Sequence, residues 1–148
     1  MGVSVDEDGA PVAVIALCEG NVNGLLLYLD EDEDDFVKLA QLDATTPVKG
    51  SAEVPLASPG SEWTVRHPFE GVLEDATYDL GGWSENQDWS IRASFSQETL
   101  NGLKPGQVWW EKYDPEREVE VEMVDETAHF REHACDDWES SAGWMISW

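Results

Sequence analysis

Between Glu116 and Val124 the chain reads Glu-Arg-Glu-Val-Glu-Val-Glu-Met-Val. Apolar and charged residues alternate there with a period of two, which suits a β-strand with one buried and one wet face. On a helix the same pattern would scatter its apolar residues around the whole surface. Val119, Val121 and Met123 therefore need a second layer to pack on. Glu116, Glu118, Glu120 and Glu122 are left facing outward as a column of carboxylates, about 6.7 Å apart, or twice the rise per strand residue.

Similar short segments recur between turn residues. Val12–Cys18 is a continuous apolar run, and Leu25–Leu29 is a second one. Phe36–Leu42, Ala52–Leu56, Glu62–His67, Thr77–Leu80, Trp89–Phe95 and Gln107–Tyr113 also read as strands. Glu19-Gly20-Asn21, Gly81-Gly82, Lys104-Pro105-Gly106 and Asp114-Pro115 supply turns between them, and Pro47, Gly50, Pro55, Pro59 and Gly60 punctuate the stretch after Leu42. Ser96 is placed to cap a single helical turn over 96–103, and Asp125 to cap a terminal helix over 126–136 that puts Phe130 and Ala134 on one face. Eight or nine short strands with one short C-terminal helix predict a mainly β fold, a single antiparallel β-sandwich, with a small open β-barrel as the alternative. Residues 11–136 form the domain. An acidic N-terminus over 1–10 is expected to fray, and 137–148 is a tryptophan-rich tail.

The 148 residues carry 32 Asp and Glu against 8 Lys and Arg, a formal charge of −24. That charge argues against direct binding to nucleic acid or to an anionic membrane, both of which need a basic face. No apolar stretch reaches the 18 or so residues of a spanning helix. No basic residue precedes Lys38, so a secretory leader is not expected and the chain reads as cytoplasmic. In a reducing compartment Cys18 and Cys135 act as small hydrophobes; in an exported form they could close a long loop.

Three features could carry chemistry. His129-Phe130-Arg131-Glu132-His133 matches H-x-x-E-H, in which two histidines one helical turn apart share a face and Glu132 could act as a base. The chain lacks the length of the zinc proteases that use this motif, so His129 and His133 are only weak metal candidates. Asp30, Glu31, Asp32, Glu33, Asp34 and Asp35 are adjacent carboxylates without the spacing of a calcium loop, which reads as a solvated hairpin loop. Eight tryptophans are present. Trp89 and one of Trp109 and Trp110 are expected in the core. The other member of that pair, Trp83 beside its glycines and the tail residues Trp138, Trp144 and Trp148 are candidate exposed anchors.

Three segments carry a patchy resemblance over residues 12–136. They are Leu17-Cys18-Glu19-Gly20, the stretch Phe95-Ser96-Gln97-Glu98-Thr99-Leu100-Asn101-Gly102-Leu103-Lys104-Pro105-Gly106-Gln107-Val108, and the spacing Phe130 to Cys135. In these the chain resembles small actinobacterial β-sandwich proteins of unknown function. The resemblance implies an immunoglobulin-like sandwich and no activity. This chain departs from it in lacking an export signal and in its tryptophan-rich tail.

The leading expectation is a non-enzymatic binding protein that needs no cofactor. It would occupy the basic surface of a protein partner, such as a toxin or a nucleic-acid-binding enzyme, as immunity proteins and DNA mimics do. Asp30 to Asp35 and the Glu116–Glu122 column would supply the charge, and Trp83 the apolar anchor. A glycan- or surface-binding module using exposed tryptophans, an enzyme built on His129 and His133, and a structural component of a larger assembly are the rival expectations.

Overall fold

The continuous apolar run near the N-terminus has a simple explanation in the computed structural model, which describes residues 1–17, 20–30, 36–69, 71, 77–84, 89–114 and 116–134. Strand β2 (Pro11–Ala16) is buried on both faces. Ala13 and Ile15 enter one core while Val12 and Val14 enter another. A strand covered on both sides has no wet face, so its sequence does not alternate.

Among the described residues, ten strands form two five-stranded antiparallel sheets. Sheet A runs in the order β10 (Val119–Glu126), β9 (Gln107–Asp114), β1 (Gly2–Val5), β2, β5 (Ser51–Pro55). Sheet B runs β6 (Trp63–His67), β4 (Phe36–Val48), β3 (Val22–Asp30), β7 (Thr77–Trp83), β8 (Trp89–Ser96). The sheets are not closed into a barrel, and the fold is a β-sandwich. The chain passes from sheet A to sheet B between β2 and β3, and returns between β4 and β5. The two crossings are tied by the Leu17 N–H donating to the Gly50 carbonyl at 2.7 Å.

The central core lies between the sheets. Sheet A contributes Val3, Val5, Ala13, Ile15, Val54 and Trp109. Sheet B contributes Leu25, Leu27, Leu29, Leu42, Tyr78, Leu80 and Phe95. Helix α1 (Gln97–Asn101) starts at Ser96, whose hydroxyl accepts the Thr99 N–H, while the Thr99 hydroxyl accepts the Ser96 N–H in return. This reciprocal cap satisfies donors that a helix start leaves open, and it seats Leu100 and Leu103 in the core.

Three elements differ from the sequence reading. Residues 1–10 contain no frayed arm over 2–5, because β1 pairs with both β2 and β9 in the middle of sheet A. The acidic residues after it form the hairpin turn. Asp6 Oδ1 accepts the backbone N–H groups of Asp8 and Ala10, each at 2.9 Å, and Gly9 takes a positive φ of 82°. Gly81-Gly82 is not a turn. Both glycines stay in register within β7, opposite Leu26 and Leu25 of β3. The terminal helix α2 (Thr127–His133) is capped at Glu126 without a side-chain bond, and Asp125 is engaged elsewhere. The start of α2 is anchored by Thr127, whose N–H and hydroxyl both donate to the Gly106 carbonyl.

Candidate partner-binding face

The β9–β10 hairpin carries two rows of side chains with different fates. Its ladder runs without a register shift from Val119 opposite Asp114 to Glu126 opposite Gln107. Residues directly opposite in a ladder project to the same side of the sheet. Met123 faces Trp110 and Asp125 faces Val108; this row lies beneath α2. Val124 faces Trp109 and Glu122 faces Glu111; this row continues the side that, further into sheet A, forms the central core.

The first row closes a second core. Phe130 from α2 is fully buried and meets Trp110 edge-on, with ring centroids 5.1 Å apart. Val12, Val14 and Val108 complete the cluster, with Met123, Ala16 and Ala134 packed around it. Asp125 joins helix and sheet. Its Oδ2 accepts the Trp110 indole N–H at 2.9 Å, and its Oδ1 lies 3.0 Å from His129 Nδ1. At the opposite edge of the sheet, on the same outer face, Arg131 donates to Glu53 of β5 at 2.9 Å. Trp109 and Trp110 do point to opposite faces, as strand neighbours must, yet both are buried. The expectation that one of them is exposed fails because α2 covers the outer face.

The second row is open. Glu111, Glu122 and Glu126 are exposed, and Val124 is 53% exposed. The edge position of β10 explains this: the row extends the sandwich interior past the point where the opposing sheet covers it. The predicted column of four glutamates is shortened. Glu116 and Glu118 fall in the turn before β10, and Glu118 adopts a positive φ of 54°. Glu120 stands in the strand opposite Tyr113, and Glu122 two positions on. Glu111, Val124 and Glu126 were not singled out from sequence. Val124 and Glu126 follow Glu122 at the two-residue spacing of β10, whereas Glu111 joins them only through the hairpin register.

The other predicted site residues lie elsewhere. Asp30 ends β3 opposite Phe36 of sheet B, and residues 31–35 of the acidic run lie outside the described residues. Trp83 ends β7 opposite Gly24. Its indole packs on that glycine so closely that a Cβ there would sit 2.0 Å from Trp83 Cζ2, and the side chain is half-buried. Gly24 and Asp30 are six positions apart on β3, roughly 20 Å of extended chain. Trp83 and Asp30 therefore lie toward opposite ends of β3, in the sheet that does not carry β10.

His129 and His133 share a face of α2 as their spacing predicts, with ring centroids 4.3 Å apart. Asp125 engages His129 Nδ1, and Glu132 is exposed. Among the described residues, no group of three or more His, Cys, Asp or Glu side chains converges as a metal site would require. Cys18, Cys135, the Trp89 side chain and the tail tryptophans lie outside what is described. No helix among the described residues is long and apolar enough to cross a membrane. No family model, curated protein or solved structure matches this chain.

Proposed function

We propose that this chain is a non-enzymatic acidic binding protein, acting in the cytoplasm, that covers the basic surface of a protein partner in the manner of an immunity-type inhibitor or a nucleic-acid mimic. The observation that carries the reading is the open row of the β9–β10 hairpin. Glu111, Glu122 and Glu126 surround the exposed Val124 on a rigid ladder. Carboxylates at fixed strand spacing complement a groove built for regularly spaced phosphates, and they accelerate encounter with it. An apolar residue among them adds contact area that charge alone does not provide. The net charge of −24 extends the attractive field well beyond the row itself.

The test is capture of basic proteins from the host lysate at low and high salt, comparing the wild type with a charge-reversed triple variant, Glu111→Lys, Glu122→Lys and Glu126→Lys. A control reverses the exposed Glu7 and Glu62, which lie on other parts of the surface. The expected outcome is a salt-sensitive basic partner that the control retains and the hairpin variant loses by more than about ten-fold, roughly 1.4 kcal/mol of binding or more. Equal losses in both variants would mean that overall charge, not this face, does the binding.

A further inference from the structure

Building on the acidic-face reading, we infer that β10 receives an extended basic segment of its partner as an added strand, with the pattern basic–x–apolar–x–basic. Strand β10 is the outermost strand of sheet A, and among the described residues only β9 pairs with it. Its eight residues are in unbroken register. A long, regular edge strand presents a row of backbone donors and acceptors that a further strand can complete. The outer strands β5 and β6 have five residues each, and β8 carries a register shift against β7. These make poorer templates.

The side chains on that edge define the mate. Residues opposite one another across a new ladder would meet Glu122, Val124 and Glu126 at alternate positions. A second copy of β10 would bring glutamates near glutamates, and like charges in cross-strand positions destabilise a pair. Lys or Arg opposite Glu122 and Glu126, with Val, Ile or Thr opposite Val124, satisfies all three positions. The same carboxylates thus disfavour self-pairing and favour a cationic strand.

The probe is a fluorescein-labelled nine-residue peptide centred on Lys-Thr-Val-Thr-Lys, titrated into the full chain by anisotropy, with backbone amide exchange mapped in parallel. Two further peptides carry N-methyl groups on one or the other alternate set of amides. Strand addition uses only one set, so one methylated peptide should lose at least about ten-fold in affinity and the other should stay within about two-fold. Exchange at β10 amides should slow on binding, and the Glu122→Lys, Glu126→Lys double variant should bind the parent peptide at least about ten-fold more weakly. Equal binding of both methylated peptides without protection of β10 would overturn strand addition and leave the acidic-face reading standing. No binding of the parent peptide would also overturn the inference, while the lysate capture above decides the reading independently.

Discussion

Sheet A is packed on both faces, but by very different amounts of protein. Toward the sandwich interior it meets an entire second sheet, and nineteen buried residues among those described share that core. On the outer face it meets a helix of seven residues, and five buried residues form the core there. In the central core a lost side chain has many neighbours to share the damage. In the outer core nearly everything depends on what α2 brings. Helices this short do not persist alone in water, so α2 is helical because Phe130 docks, and it docks because β2, β1 and β9 offer Val12, Val14, Gly2, Val108 and Trp110 as a floor. Gly2 has to be small here, since a Cβ would lie 2.3 Å from Val108 Cγ1.

That contrast is most directly broken by Phe130→Ala set beside Leu80→Ala. Each removes a fully buried side chain, and each should cost several kcal/mol, about 3–5 for Phe130 and about 2–5 for Leu80. The costs should appear in different places. In Phe130→Ala the amides near the end of α2 should exchange freely while those of β3 and β7 stay protected. In Leu80→Ala protection should fall across both sheets together. Native-state hydrogen exchange combined with urea unfolding separates the two. Should Phe130→Ala lower protection uniformly, the outer core is part of one cooperative unit and the contrast fails.

The two cores were not equally legible in the sequence. Alternation in β10 and the serine cap of α1 depend on residues close together in the chain; the cap is where the sequence places it, and the strand starts later than expected, at Val119. The outer core depends on residues far apart. Phe130 meets Trp110, and Asp125 meets both Trp110 and His129. Local pattern therefore suggests Asp125 as a helix cap and leaves one tryptophan without a core. The β1–β2 hairpin was legible in principle. Val3-Ser4-Val5 alternates, and Asp6 to Gly9 is a turn signal with an Asx bond and a left-handed glycine. Its acidity reads as a solvated end, although carboxylates in a tight turn can be exposed while the strands beside them are buried. The binding row was hidden for a different reason. The wet face of β10 is visible as Glu120 and Glu122, and Val124 continues it at the same spacing although an apolar residue there breaks the alternation; Glu111 joins only through the register of the hairpin.

A titration at the chain's first residue sharpens the comparison from the central-core side. Met1 packs half-buried against that core, and burial lowers its α-amine from 8.0 to about 6. The folded state therefore favours the neutral amine, and between about pH 6 and pH 8 the unfolded chain binds more protons than the folded one. Stability from this group is fully present above about pH 8, falls as the pH drops through the window, and is level again below about pH 6. The span is worth about 2–3 kcal/mol. Urea midpoints at pH 5.5, 7 and 8.5 should show it, and Nα-acetylation should remove it. The acetylated chain is the reference, so every contribution common to the two chains cancels in the difference. The amides of α2 should not respond specifically, because Met1 belongs to the other core. An unchanged pH slope after acetylation would place the amine in solvent.

The smallest effect concerns the ion pair that joins α2 across sheet A to β5. Arg131 and Glu53 are 2.9 Å apart, with side chains 40% and 44% exposed. Exposed pairs are screened by water and lose side-chain entropy on forming, so the coupling should be about 0.2–1 kcal/mol. In a chain of −24, single substitutions mislead: Arg131→Ala removes one of few cations, while Glu53→Ala relieves general repulsion. A double-mutant cycle cancels both background effects and leaves the pair itself. The coupling should shrink in 1 M salt, where the screening length is about 3 Å. It should stay well below the cost of Phe130→Ala. A coupling above about 2 kcal/mol, outside the range of exposed pairs, would mean that charge rather than the buried aromatic holds α2 in place, and the outer core would then be a consequence of docking instead of its cause.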